Sequence, residues 1–298
     1  MYQIISDGSC DLPPQLTKEK GIEVVPFYVS FDDQTYLKEI KEMPIRDFYD
    51  KMVENENVVF PKSSLPSVND YITVFEKYAK QNISMICICI TTKFSGSYQA
   101  AMNAKNILLE TYPDVRIEVI DSFMDTVLQG MYVLEAAKLK ERGSSYEDTI
   151  KRILEIRDTG RIFFTVGNVD YLKHGGRIGK LSGLTASLLG IRPLITLKEG
   201  EIFPSGVSRS RKKSIESVLK LLENHIAALQ AAGEDPKDYI VDVGYGYDIP
   251  EAEVFLETVK NRFRDVLDTD SIEMYQIGAT ISVHTGPYPL GVGFLKRA

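Results

Sequence analysis

The sequence predicts an α/β protein built from two α/β domains, and three observations lead to this fold class. Short β-branched apolar runs, such as residues 85–90, alternate with Ala/Leu-rich or amphipathic segments, as in parallel sheets covered by helices. A chain of 298 residues is long for one hydrophobic core. A second cycle of strand and helix signals begins at residues 162–166, just after Gly160. We therefore expect domains at residues 1–160 and 161–298.

Proline, glycine and serine mark most element ends in the first domain. Proline suits the first turn of a helix, glycine ends helices, and a serine hydroxyl caps them. The predicted elements are a strand at 2–6, a helix from Pro13 through Lys20, a strand at 23–31 with a partner around 35–36, a helix from Pro44 to about Glu54, a rigid loop at 61–67, a helix capped by Ser67, a strand at 85–90, a helix to Tyr112, a strand at 116–120, a helix at 124–142 and a helix capped by Ser145 that ends near Asp158.

The second domain repeats this alternation with one hairpin. Glu199 and Gly200 form a turn signal between two β-branched or aromatic runs. The predicted elements are a strand at 162–166, a short helix at 168–173, a small apolar segment at 181–189, the hairpin strands at 193–197 and 201–203, a helix up to about Ala232, a strand at 239–245, a helix at 250–263, a strand at 272–276, a loop at 277–287 and a strand at 292–295.

Composition excludes several classes of function. The net charge of −7 argues against nucleic-acid binding, which needs a basic surface. No apolar run approaches the length of a membrane span, and the amino terminus enters a strand directly without a secretion signal. Three cysteines and three scattered histidines predict neither a disulfide framework nor a metal site. We expect a cytoplasmic protein without metal or cofactor, in which His225 lies on a solvated helix face.

The segment after the strand at 85–90 is the first candidate site. Ser95, Gly96 and Ser97 lie between a buried strand and a helix, where open α/β sheets bind ligands. The backbone N–H groups of such a helix start favour an anionic oxygen. Ser97 is expected to cap the helix, which leaves Ser95 to face a ligand. The alternative is that both serines only cap and turn the chain.

Catalytic motifs do not fit this sequence. Residues 175–182 lack the spacing of a phosphate-binding Walker loop, and neither a dinucleotide fingerprint nor a Gly-x-Ser-x-Gly elbow is present. His284 stands among Thr, Gly and Pro, so it is either a loop ligand or a structural histidine. Arg177, in a glycine-rich turn, either contacts a ligand or caps the carbonyls of the preceding helix. These patterns favour a site that holds its ligand without reacting on it.

Eight short motifs, spread over essentially the whole chain, resemble the DegV family of bacterial fatty-acid-binding proteins. They are 6–9 with 11–13, 22–26, 63–67, 94–99, 171–173 through 175–178, 192–194, 211–213 and 284–287. Each motif is weak alone, but their order together is specific. The resemblance implies two α/β domains with a long-chain fatty acid buried between them.

The resemblance also implies site residues and a partner. The fatty-acid carboxylate is expected at Ser63, Ser95 and His284, with supporting roles for Ser64, Gly96, Ser97, Thr285 and Arg177. A separate ATP-dependent fatty acid kinase is expected to phosphorylate the bound fatty acid for phospholipid synthesis, and the carrier itself has no catalytic residues. The sequence departs from the family pattern at three places. Ser63 replaces the usual threonine, and residues 6–8 are Ser-Asp-Gly where the family has Thr-Asp-Ser. Tyr288 replaces the usual glycine after Gly286-Pro287.

Two further hypotheses remain open. The rival function is a small-molecule or lipid hydrolase or transferase that uses Ser95 as nucleophile and His284 as base; a lipid-sensing regulator is a third possibility. The basic cluster of Arg209, Arg211, Lys212 and Lys213 is expected on the surface as a docking site for the kinase. The alternative for this cluster is a solvated helix start.

Overall fold

The computed structural model describes residues 1–56, 58–184 and 191–298, so most of the apolar segment at 181–189 lies outside the described residues. The described helices are α1 (Pro14–Glu19), α2 (Ile45–Glu54), α3 (Val68–Ala79), α4 (Ser97–Thr111), α5 (Thr126–Glu141), α6 (Tyr146–Arg157), α7 (Asp170–His174), α8 (Arg211–Ala231), α9 (Ile249–Phe263) and α10 (Ala279–Thr285). The described strands are β1 (Tyr2–Asp7), β2 (Ile22–Val25), β3 (Tyr28–Ser30), β4 (Leu37–Lys38), β5 (Lys62–Ser64), β6 (Ser84–Cys89), β7 (Ile117–Asp121), β8 (Arg161–Thr165), β9 (Arg192–Lys198), β10 (Glu201–Ser208), β11 (Tyr239–Tyr245), β12 (Met274–Gln276) and β13 (Leu290–Lys296).

The first sheet is parallel, as the alternation of strands and helices predicts. Its strand order is β2-β1-β6-β7, and every pair in it is parallel. Helices α3 and α4 pack on one face, and α5 packs on the other. The carboxyl ends of β1 and β6 lie side by side, so the segments after Asp7 and Cys89 meet at one edge. This is the edge where a parallel sheet binds ligands.

The second sheet is mainly antiparallel, in contrast to the first. Its order is β10-β9-β8-β13-β11-β12, in which only β11 and β12 pair in parallel. Two features produce this arrangement. Glu199 and Gly200, with φ of 53° and 78°, form the predicted hairpin turn, and the carboxy-terminal strand β13 inserts between β8 and β11.

Helix α5 lies between the two sheets. Its side chains join one hydrophobic cluster with residues of the first sheet, such as Ile88, and of the second sheet, such as Ile195. Helices α8 and α9 cover the opposite face of the second sheet. A helix that is apolar on most of its surface is expected to be buried on more than one side. The proposed division at residue 160 falls between the sheets in sequence, although this cluster runs through both.

A small antiparallel sheet, β4-β3-β5, corrects two predictions in the first half. The strand predicted at 23–31 breaks at Pro26, since proline has no N–H to donate; the residues before and after it belong to different sheets. The rigid loop predicted at 61–67 contains β5, in which Ser63 pairs with Val29. The predicted cap at Ser67 is confirmed as a capping box with Asp70.

The segment at 277–287 contains a helix where a loop is predicted. Helix α10 begins after Gly278, ends at Gly286 with a φ of 75°, and buries Ile281 and Val283. The prediction failed because Thr, Ser and β-branched residues have low helix propensity, while the helix is stabilised by packing against α2 and β3. His284 therefore lies in the last turn of a helix. None of the described helices is both long enough and apolar enough to cross a membrane.

Candidate ligand-binding site

A cavity of about 200 Å³ lies where the first sheet, the second sheet, the small sheet and α10 meet. Most of its wall is apolar, and its polar side chains come from segments that are far apart in sequence. The structure brings together here six of the predicted site residues, namely Ser63, Ser64, Ser95, Arg177, His284 and Thr285. Gly96 and Ser97 do not line this cavity. A narrower cavity of about 30 Å³ shares Asp125, Phe164, Ile281 and Thr285 with it, so the two are neighbours.

Ser63 and His284 are hydrogen-bonded to each other. The Oγ atom of Ser63 lies 3.2 Å from Nε2 of His284. Burial, with a smaller effect from the charge of Arg177, lowers the pKa of His284 to about 4. Nδ1 of His284 is buried and has no hydrogen-bond partner among the described residues. A Cβ atom at Gly175 would lie 2.0 Å from Nδ1, so the ring packs directly on a backbone that only glycine permits. Near pH 7 the imidazole of His284 is therefore neutral.

The capping role predicted for Ser97 is wrong, whereas Ser95 faces the cavity as expected. Oγ of Ser95 accepts a hydrogen bond from the N–H of Ser97 at 3.2 Å, at the start of α4. The hydroxyl of Ser97 is buried and donates to Oδ2 of Asp7 at 2.7 Å; its oxygen is also 2.6 Å from the Tyr71 hydroxyl. Ser95 thus both caps the helix and lines the cavity, and its hydroxyl hydrogen is not used by the backbone contact.

Asp7 fixes the segment that carries Ser95. Its Oδ2 accepts from the N–H of Ile90 and from Ser97, and its Oδ1 accepts from Ser9 and Gln129. Burial raises the pKa of Asp7, while these hydrogen bonds lower it. Sequence reasoning missed this role. The signal available was an acidic residue directly after a buried strand, next to the strand that leads to the serines.

Arg177 caps the end of a helix and also lines the cavity. Its Nη1 donates to the carbonyl of Gly175 at 2.7 Å, at the end of α7, and its Nε donates to the carbonyl of Phe94 at 3.0 Å. The predicted capping of a helix end is confirmed. Because the guanidinium also lines the cavity, it places a positive charge beside the segment that carries Ser95.

Ser95 and His284, the nucleophile and base of the rival hypothesis, are not hydrogen-bonded to each other in the described structure. His284 bonds to Ser63 instead. No carboxylate orients Nδ1 of His284, which a nucleophile–base pair normally requires. Among the described residues, no group of three or more His, Cys, Asp or Glu side chains is arranged to hold a metal ion.

The basic cluster contains one residue that is not free. Arg211 pairs with Glu251 and donates to the carbonyl of Tyr288 at 2.9 Å, so the expectation of a freely exposed side chain is wrong for Arg211. The side chains of Arg209, Lys212 and Lys213 are exposed as predicted.

His225 is also placed differently from its prediction. It lies half-buried against Phe163 and Phe294 instead of on a solvated face, and burial lowers its pKa to about 4. The helix face that seemed polar in the sequence covers the second sheet, whose aromatic side chains surround the imidazole.

Comparison with known proteins identifies similar chains over the full length. Residues 1–297 match the model of a family described as "uncharacterised protein, DegV family". A stearic acid-binding protein from Eubacterium ventriosum is 39% identical, with a TM-score of 0.92 over 100% of this chain and 99% of that one. A fatty-acid-binding DegV family protein from Thermus thermophilus is 27% identical, with a TM-score of 0.85 over 99% of each chain. A DegV domain-containing protein of Clostridium acetobutylicum is 30% identical, over 98% of this chain and 96% of the relative.

Proposed function

This chain belongs to the DegV family, and we propose that it binds a long-chain fatty acid whose carboxylate lies at Ser63, Ser95 and His284. The single observation that carries the proposal is the shape and chemistry of the cavity. An apolar space has a cluster of hydroxyls, an imidazole and a guanidinium in its wall, drawn from four separate segments. Fatty acid binding by the relatives from Eubacterium ventriosum and Thermus thermophilus supports the same ligand class here.

The acyl chain supplies most of the affinity. Burial contributes about 0.8 kcal/mol for each CH₂, so roughly fourteen methylenes offer about 11 kcal/mol before the costs of association. The apolar wall that would receive this chain consists of Phe27, Leu65, Ile90, Phe94, Phe164, Leu172, Ile202 and Ile281. The narrower cavity beyond Phe164 and Ile281 extends the apolar path between α5 and the second sheet.

The polar cluster supplies selectivity for the acid. A carboxylate removed from water needs donors, or it takes up a proton. The hydroxyls of Ser63 and Ser95 act as donors, and His284 becomes a donor at both nitrogens when the ligand's charge raises its pKa. Arg177 adds a favourable charge next to these groups. Each such contact contributes about 1 to 3 kcal/mol.

The biological role that fits this chemistry is that of a carrier. The protein presents the fatty-acid carboxylate to an ATP-dependent fatty acid kinase, and the resulting acyl-phosphate feeds phospholipid synthesis. In this role the protein is not an enzyme, works in the cytoplasm, needs no cofactor, and has its fatty acid as ligand. The surface formed by Arg209, Lys212 and Lys213 is the proposed kinase contact.

Lipid extraction tests the ligand assignment directly. Protein purified from bacteria is denatured, extracted with organic solvent, and its lipids are quantified by mass spectrometry. We expect close to one fatty acid per chain. The absence of lipid, together with ester turnover by the protein alone, would support the hydrolase hypothesis instead.

A further inference from the structure

One carboxyl group in the cavity wall has no role in the site described above. Asp125 is 9% exposed and lines both the larger cavity and the narrower one beside it. Oδ1 of Asp125 is shielded from solvent and has no hydrogen-bond partner among the described residues, and the side chain makes no capping hydrogen bond to α5. A buried carboxyl group without a partner is costly, so its presence in a cavity wall calls for a ligand group.

The position of Asp125 makes this lack of partners unusual. Asp125 is the N-cap residue of α5, where an aspartate side chain normally accepts a hydrogen bond from a backbone N–H of the first turn. Here that bond is not made. The neighbouring Phe123 and Thr126 have φ of 60° and 43°, in the left-handed region that non-glycine residues, and β-branched residues most of all, rarely adopt. Thr126 is held there by a 2.5 Å hydrogen bond to Asp11. The chain thus adopts a strained conformation that leaves the Asp125 carboxyl free.

Three other hydroxyl groups of the wall already have hydrogen-bond partners. Ser63 bonds to His284, Thr280 donates to Glu39, and Thr285 donates to backbone carbonyls. Asp125 is placed where the larger cavity adjoins the narrower one, whereas Ser63, Ser95 and His284 line the larger cavity alone. The free carboxyl therefore faces the acyl chain beyond its head group.

We propose that Asp125 is a binding site for a hydroxyl group on the acyl chain, so that the substrate class of this protein is hydroxylated long-chain fatty acids. The inference rests on the proposed function, since it requires the acyl chain to occupy these cavities. A hydroxyl both donates to a carboxylate and accepts from a protonated carboxyl. Burial raises the pKa of Asp125 to about 7, so both forms are present near neutral pH and both are served by the same ligand group.

The test compares stearic acid with a set of monohydroxystearic acids that carry the hydroxyl at different carbons, by calorimetric titration of delipidated protein. We expect the wild type to bind one positional isomer at least about tenfold more tightly than stearic acid, a difference of about 1.4 kcal/mol. Asp125→Leu should abolish this preference and bind stearic acid more tightly than the wild type does. Asp125→Asn, which keeps hydrogen-bonding atoms, should retain part of it.

Asp114→Leu is the matched control, since it removes an exposed carboxyl group that lines neither cavity and should leave the ratio between the two acids unchanged. Asp125→Ala replaces the leucine variant if that one does not fold. Equal binding of all the acids to the wild type, or a preference that persists without the carboxyl, would overturn the inference while leaving the proposed function intact. Failure of the wild type to bind any of these acids would overturn the proposed function and the inference with it.

Discussion

Among single residues, we expect Ser63, Ser95 and His284 to have the most direct effect on fatty-acid affinity. Each replacement by alanine should weaken fatty-acid binding by about 1 to 3 kcal/mol, because each removes one proposed donor to the fatty-acid carboxylate. Binding of the fatty alcohol with the same tail should change much less. Calorimetric titration of both ligands measures the difference. Ser64→Ala is the control, since Ser64 also lines the cavity but is exposed. Equal losses for acid and alcohol would show that the three residues shape the pocket without contacting the carboxylate.

A second prediction for single residues is that the stability of the folded protein depends on pH through His284. His284 has a pKa of about 4 in the folded protein against a usual 6.5, so the neutral form is favoured by folding. Its contribution to stability is complete above about pH 6.5 and is lost as the pH falls towards 4. A bound carboxylate raises the pKa of His284, so the fatty acid should reduce this loss. Urea unfolding at several pH values, with and without ligand, measures the effect.

His225 provides the internal comparison for this experiment. Its pKa is also lowered to about 4, but its ring contacts Phe163 and Phe294 away from the cavity. His225→Gln and His284→Gln should each remove part of the acid destabilisation, and only the second should remove its dependence on ligand. An acid transition that responds equally to fatty acid in both variants would contradict this assignment.

Residue types at the site are predictable where a short motif places them, and their hydrogen bonds are not. Ser95 and Ser97 are recognisable as hydroxyls at the start of a helix. Which of them caps and which is buried depends on Asp7, ninety residues away from Ser97, and on Tyr71. The same limitation applies to Asp125, whose lack of partners is a property of packing and leaves no mark in the sequence.

Among whole elements, the helices whose first turn is marked by a local capping residue are predicted reliably. Ser67 and Ser145 cap α3 and α6 through hydrogen bonds within four residues, which a sequence can display. Helix α10 has weak local propensity and is stabilised by contacts with α2 and β3, so its sequence suggests a loop. The interruption at Pro26 is a local signal that a continuous β-branched run concealed.

Serine substitutions at the starts of α4 and α6 can be compared to test whether the start of α4 also supports the ligand site. Ser97→Ala removes a donor to the buried Asp7 and should cost about 1 to 3 kcal/mol of unfolding free energy. It should also weaken fatty-acid binding, because the Asp7 contacts fix the segment that carries Ser95. Ser145→Ala removes a helix cap elsewhere and should cost about 1 kcal/mol with no change in affinity. Urea unfolding and titration give both quantities. Unchanged affinity in Ser97→Ala would mean that Ser95 is positioned independently of this network.

In the whole molecule, the alternation of strands and helices predicts the first sheet correctly and the second only in part. Parallel pairing follows from the helical connections among β1, β2, β6 and β7. The second sheet is determined by long-range pairing, because β13 inserts between β8 and β11 from the end of the chain. Such pairings carry little local signal, since each strand reads as the same β-branched run whichever neighbour it has. The cavity depends on this arrangement, because Phe164 and Ile202 come from the second sheet and Ser95 follows the first.

The last prediction tests the proposed kinase contact, which consists of the exposed side chains near the start of helix α8. Charge reversal at Arg209, Lys212 and Lys213 should leave fatty-acid binding unchanged, because these side chains are exposed and do not line the cavity. It should lower the rate at which the cognate ATP-dependent fatty acid kinase phosphorylates the bound ligand, and it should weaken the salt dependence of that rate. Arg211 is left intact because its pairing with Glu251 stabilises the fold.

The control for this experiment reverses three other exposed lysines, Lys18, Lys151 and Lys237, so that the change in net charge is the same. Kinase assays at low and high salt then distinguish a local contact with the kinase from a general effect of the protein's net charge. A local contact requires that only the first variant loses activity at low salt, with both variants converging as screening increases. Equal rates for the first variant and the wild type at low salt would remove this surface as the docking site, and equal losses in both variants would assign the effect to overall charge.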